Sequence, residues 1–311
     1  MNPTWLGAFS VVWWGMAIPM SRIFQLEIGL LASNGLSFAV MAALGFAYQK
    51  YRKTKWDSDI FKKPAFYWRG FFMSFHILCF SFAALMVQTQ YVPLVILLNY
   101  FWPTAVILYS VLIAGVQVTR WPYFFTGLAI ILAALTIEIA GDLVLSSMGD
   151  LRPLDYISFA AVFIGANAWG IYSALSRKYG EETGAGTVIP FYQLALVPLL
   201  PAAFLVDPTM FSEPKNAFWM LFLIGYSFFG FLAYVSWDLG MRKGNVIVLS
   251  LMADFIPWFS LLFSHLLLGV HIGDKTILSA VMLVLGAMVT RYGTIGKGTN
   301  FFGKKIVSQE V

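Results

Sequence analysis

Residues 14–22 read Trp14-Gly15-Met16-Ala17-Ile18-Pro19-Met20-Ser21-Arg22, and residues 169–177 read Trp169-Gly170-Ile171-Tyr172-Ser173-Ala174-Leu175-Ser176-Arg177. Both hold Trp-Gly, five intervening residues and Ser-Arg, at an offset of 155. Farther along, Leu85, Pro103, Ser110 and Gly115 return as Leu239, Pro257, Ser264 and Gly269, each at an offset of 154. Unrelated apolar helices share leucine and glycine by chance. A proline and a Trp-Gly-x5-Ser-Arg string at nearly constant spacing point instead to two copies of one unit.

Composition says where those copies sit. Of 311 residues, 59% are hydrophobic and 11% charged, against ~45–50% and ~25% in an ordinary soluble domain. So little charge cannot coat a water-soluble globule, which excludes soluble helical, nucleic-acid-binding and disordered classes. The net charge of +5 matters less here than where the charges fall. Cys79 is the single cysteine, so the chain has no internal disulfide and no Cys-x-x-Cys redox pair.

A hydrocarbon core of ~30 Å needs about 20 mostly apolar residues per helix. Ten such spans can be drawn, at about Thr4–Ile23, Leu30–Gln49, Trp68–Gln88, Pro93–Ala114, Pro122–Gly141, Asp155–Ser176, Thr187–Val206, Ala217–Trp237, Val246–Gly269 and Lys275–Tyr292. The first has no Lys or Arg before it and no small-residue cleavage site, and reads as a retained helix. The expected fold is all-α and polytopic: repeats over residues 4–141 and 155–292, with a cytoplasmic tail at 293–311.

With both termini on one side, the connectors of that side hold sixteen of the twenty Lys and Arg residues. Arg22, Arg152, Lys215 and Lys275 fall on the other. Cytoplasmic termini are therefore expected. Five spans per half is an odd number, so the copies enter the bilayer from opposite sides, with Arg22 outside and Arg177 inside. Inverted repeats of this kind usually enclose a site near the midplane that is reached alternately from each face.

A mid-span proline frees a carbonyl that needs a neighbour or a cavity. Pro103 and Pro257 stand near the middle of equivalent spans and are expected helix breaks beside the repeat interface. Asp254, just before the second, is costly at membrane depth and should face the bundle interior. It could bind an ammonium, carry a proton, or sit buried and protonated. His76 is its best-placed partner by depth, as a proton relay or a satisfied bundle residue. Asn167 reads as a site donor or an interhelical hydrogen bond. Glu138 and Asp238, near span ends, are explained by snorkelling.

Most aromatic residues fall at span ends as an interfacial belt. Trp14, Phe75, Tyr100, Trp102, Trp169, Tyr172 and Tyr234 instead lie at interior depth. Together with His76, Asn99 and Asp254 they form the candidate substrate-binding set. Rings with a few polar groups suit a partly apolar, partly zwitterionic solute.

Several strings carry a likeness: Trp14-Gly15 with Arg22, Asn99-Tyr100-Phe101-Trp102-Pro103, Ala168-Trp169-Gly170-Ile171-Tyr172, Ala233-Tyr234-Val235-Ser236-Trp237, Gly244-Asn245-Val246 and Phe255-Ile256-Pro257. In order along nearly the whole chain, they resemble the bacterial drug/metabolite transporter superfamily of the EamA type, and within it the aromatic amino acid exporters. The resemblance implies two inverted five-helix repeats around a cavity lined by helices three, four, eight and nine, with one and six. It implies export of aromatic and other neutral amino acids across the inner membrane. Carried over, Phe75, Tyr100, Trp102 and Trp169 would be cavity aromatics, and Pro103 and Pro257 the helix breaks. Asp254, where a tyrosine-like residue would be expected, and His76 depart from that pattern.

The alternative is a transporter of another small solute, such as a cationic drug or a different metabolite. No His-Glu-x-x-His helix, Gly-x-Ser-x-Gly elbow or Gly-x4-Gly-Lys-Ser/Thr loop occurs, so neither an enzyme nor ATP-driven pumping is expected. No catalytic residue, cofactor or metal is assigned. The expected partners are an amino acid substrate and the lipid bilayer, with no nucleic acid; a monomer is the working expectation, which the sequence does not itself fix.

Overall fold

The computed structural model describes residues 2–53, 57–88, 95, 98–142, 151–183, 185–209, 211, 217–268 and 273–294. Among these there is no strand. Twelve helices follow in order: α1 (Pro3–Ile28), α2 (Leu30–Tyr51), α3 (Pro64–Met86), α4 (Trp102–Leu112), α5 (Trp121–Asp142), α6 (Pro153–Tyr179), α7 (Ile189–Leu194), α8 (Leu199–Val206), α9 (Ala217–Lys243), α10 (Val246–Ala253), α11 (Ile256–Leu268) and α12 (Asp274–Thr294). The start of the fourth drawn span, including Pro93, lies outside the described residues, as do the side chains of Arg22 and Glu138 and all of the tail beyond Thr294.

Five stretches are long and apolar enough to cross a membrane: Leu30–Tyr51, Pro153–Tyr179, Ile189–Val206, Ala217–Lys243 and Ile277–Thr294. Trp102–Leu112, Trp121–Ile137 and Val246–Ser260 are shorter apolar stretches. The outer surface is oily, with Leu205 88% and Phe218 77% exposed. In water such a surface would drive aggregation; against lipid tails it is matched.

Two drawn spans are visibly interrupted. Pro198 caps α8 and has no N–H to continue a helix from α7, so residues 195–198 form a turn. Asp254 and Phe255 separate α10 from α11, whose first turn contains Pro257. Correspondingly, α4 begins at Trp102 with Pro103 in its first turn. A first-turn proline costs little, because that N–H has no helical acceptor anyway.

Helix pairing positions the core. α1 packs on α9, α10 and α11; α6 packs on α3 and α4; α2 meets α7, α8 and α9; α4 meets α10; α5 lies along α12. Small residues let these backbones approach, as expected where lipid supplies no hydrophobic drive between helices. A Cβ added at Gly15 would strike Phe259, and one at Gly170 would strike the Ala105 backbone. A Cβ on Gly286 would meet Ile131 and the Gly127 carbonyl across the α5–α12 seam.

Candidate functional site

Between α1, α2, α3, α6 and α9 lies a cavity of about 180 Å³. Trp14, His76, Asn99, Tyr100, Trp102, Trp169 and Tyr234 line it, seven of the ten residues the sequence singled out. The other three lie elsewhere. Phe75 stacks on Phe71 (ring centroids 5.2 Å apart), and Phe71 is half exposed on the outer surface. Tyr172 is fully buried against Trp169 (5.0 Å), one helical turn farther along α6. Asp254 is buried at the α10–α11 break, its Oδ2 without a hydrogen bond among the described residues. Pro103 and Pro257 are both buried, in the first turns of α4 and α11.

The cavity's floor is a cluster of four tryptophans from four helices: Trp14 (α1), Trp102 (α4), Trp169 (α6) and Trp237 (α9). Every pair is in ring contact, from 5.3 Å for Trp14–Trp237 to 6.4 Å for Trp169–Trp237. Most pairs meet edge to face, the arrangement that sets the positive ring edge against the negative face. Trp237 is fully buried and its indole N–H donates to Ser173 Oγ at 3.1 Å. The sequence reading left it out because it stands at a span end.

Beyond the floor, charge is locked in place. Arg69 and Asp238 are both fully buried and ion-paired. Arg69 also donates to Ser176 Oγ (3.1 Å) and to Thr183 Oγ1, and the Arg242 Nε–H donates to Asp238 Oδ2 at 2.8 Å. Arg242 pairs with Glu181 as well. This corrects the snorkelling expectation for Asp238: the carboxylate turns inward, onto an arginine that the sequence placed in a connector. The network ties α3, α6 and α9 together at one end. Arg177 adds a cap there, donating to the carbonyls of Arg242 (2.8 Å) and Gly244 (3.0 Å), groups that a helix end leaves without partners.

Toward the other end the cavity continues past Ser21 and Gln25 of α1, Asn34 and Ser37 of α2, and Tyr226 of α9. Tyr226 and Asp238 lie about 18 Å apart along the α9 axis at 1.5 Å per residue. The α2 contribution was not foreseen, since neither a proline nor a repeat motif marks that helix. Among the described residues, none that lines the cavity is Asp, Glu, Lys or Arg. Asn167 bonds between helices, accepting from Tyr109 Oη at 3.3 Å. No group of His, Cys, Asp and Glu suited to a metal occurs among the described residues.

The chain that surrounds this ring-lined cavity is similar to known transporters. Residues 157–292 match the EamA-like transporter family. The chain is 31% identical to the aromatic amino acid exporter YddG of Salmonella typhimurium (strain 14028s / SGSC 2262) and 29% identical to that of Escherichia coli (strain K12). Each likeness covers 62% of this chain, and the chain spans 64% of either exporter's length. A protein solved by crystallography shares the fold with a TM-score of 0.69, over 94% of this chain and 97% of that one, at 20% identity. The family and both relatives are named as transporters, not enzymes.

Proposed function

We propose that the protein is a secondary transporter that exports aromatic and other neutral amino acids across the inner membrane by alternating access. The observation that carries this is the cavity, which is aromatic and, among the described residues, free of charged side chains. A neutral lining accepts a solute of zero net charge and disfavours one with a bare charge, which would lose its hydration uncompensated. The exporter relatives support the same substrate class.

The transport cycle rests on two inverted five-helix repeats, residues 4–141 and 155–292, and helix pairing supports that division. Exchanging the two halves turns the α1–α9 contact into α6–α3, and the α1–α11 contact into α6–α4, and both occur. The matched glycines agree: Gly15 lies against Phe259 and Gly170 against Ala105, which is the position of Phe259 shifted by 154. The Lys and Arg distribution supports a cytoplasmic location for the ion-paired end and both termini, with the cavity leading outward.

A cationic drug as substrate is less well supported, because Asp254, the carboxylate that would attract it, does not line the cavity. Counterflow of radiolabelled phenylalanine in liposomes containing the purified protein tests the proposal. Uptake should exceed that of empty vesicles and fall when unlabelled tryptophan or tyrosine is added. No flux with any amino acid overturns it.

A further inference from the structure

A zwitterion entering a cavity whose described lining holds no charged side chain must find hydrogen-bonding groups that are not already engaged. Several polar side chains there are spoken for. Asn34 donates to Ser81 Oγ at 2.8 Å, Tyr100 donates to Ser260 Oγ at 3.0 Å, and Gln25 donates to Ser21 Oγ at 3.2 Å. Two acceptors differ. The Asn99 Oδ1 is buried and accepts no hydrogen bond among the described residues. His76 places Nδ1 3.0 Å from the Gly165 carbonyl. A carbonyl only accepts, so the proton sits on Nδ1 and the neutral ring leaves Nε2 as a lone-pair acceptor. The Trp169 ring lies 5.2 Å from the imidazole and adds a π face, which also attracts cations.

We infer that His76 Nε2 and Asn99 Oδ1 together form the subsite for the substrate's α-ammonium group, with the Trp169 ring beside them. The inference rests on reading the cavity as an amino acid site, and adds to it which end of the molecule is recognised and by what. Neutral acceptors, rather than a carboxylate, bind the ammonium by hydrogen bonds without giving the cavity a fixed negative charge. A solute lacking the amino group leaves Asn99 and His76 buried without partners, which is how a polar site rejects an analogue.

The test is competition against radiolabelled phenylalanine in liposomes, using phenethylamine, which lacks the carboxylate, and 3-phenylpropionate, which lacks the amine. In the parent protein both singly charged analogues should compete less well than unlabelled phenylalanine, and 3-phenylpropionate should be weaker than phenethylamine by about 10-fold or more. His76→Phe and Asn99→Leu should each raise the half-saturating phenylalanine concentration about 10-fold and shrink the gap between the two analogues. His76→Gln, which keeps an acceptor oxygen, should restore most of the discrimination. Should His76→Phe fail to give monodisperse protein, Asn99→Leu and the analogue ratio of the parent decide the matter. Equal competition by both analogues in the parent, or unchanged phenylalanine half-saturation in the variants that fold, overturns the inference and leaves amino acid transport standing. A parent protein that takes up no amino acid overturns both.

Discussion

Arg69 of α3 and Asp238 of α9, far apart in the chain, meet as a fully buried ion pair directly behind the tryptophan floor. Each has further partners: Ser176 and Thr183 for the guanidinium, and Arg242 for the carboxylate. A pair held this way is costly to break from one side, because the remaining charge stays buried and unmatched.

Asp238→Asn is therefore expected to lower stability by about 3–5 kcal/mol, and Arg69→Met by a similar amount, while Arg69→Met with Asp238→Leu recovers most of the loss. Thermal unfolding of the detergent-solubilised protein measures this. Additive losses in the double variant would show that the two residues are not coupled.

Trp169 touches the cavity, the other three tryptophans of the floor and His76. Trp169→Ala and Trp102→Ala should abolish phenylalanine flux while the protein still reaches the membrane, as followed by liposome uptake and by immunoblot of membrane fractions. Normal uptake in both would remove these rings from the transport site.

The two matched glycines should not respond alike. Gly170 faces the Ala105 backbone, which cannot yield, and Gly170→Ala should destabilise by about 1–3 kcal/mol. Gly15 is opposed mainly by Phe259 Cβ, an atom that only glycine lacks, so Phe259→Gly should relieve the clash of Gly15→Ala. Melting temperatures of the four proteins check both statements.

Sidedness can be read with thiol reagents in a Cys79→Ser background, since the native cysteine is buried. Lys53, Asp207 and Lys243 are all exposed. Lys53→Cys and Lys243→Cys should stay shielded from an impermeant maleimide in intact cells, whereas Asp207→Cys should react. Labelling of Lys53→Cys and Lys243→Cys from opposite faces would refute the proposed topology.

What the sequence revealed depended on whether a residue carried a local signal. Trp14 and Trp169 stood out as copies of one motif, and Trp102 as the neighbour of a mid-span proline. Trp237 and Asp238 carried no such mark. A residue near the end of an apolar run reads as interfacial, and hydropathy along one helix cannot report that a second helix brings Arg69 to meet it. Phe75 shows the opposite effect. It shares its depth with His76, but one residue turns a helix by 100°, which carries its ring to the Phe71 side. Depth is legible in one dimension, and azimuth needs the neighbouring helices.

Shifted by 154, the counterparts of Arg69 and Asp238 are Leu223 and Ala84, both uncharged. The Arg69–Asp238 pair thus has no charged counterpart in the other half. A carrier assembled from two matching halves would otherwise idle with no preference between inside and outside. On the proposed reading, one buried pair of charges breaks the inherited symmetry of the two halves, so the two ends of the bundle need not open with equal ease.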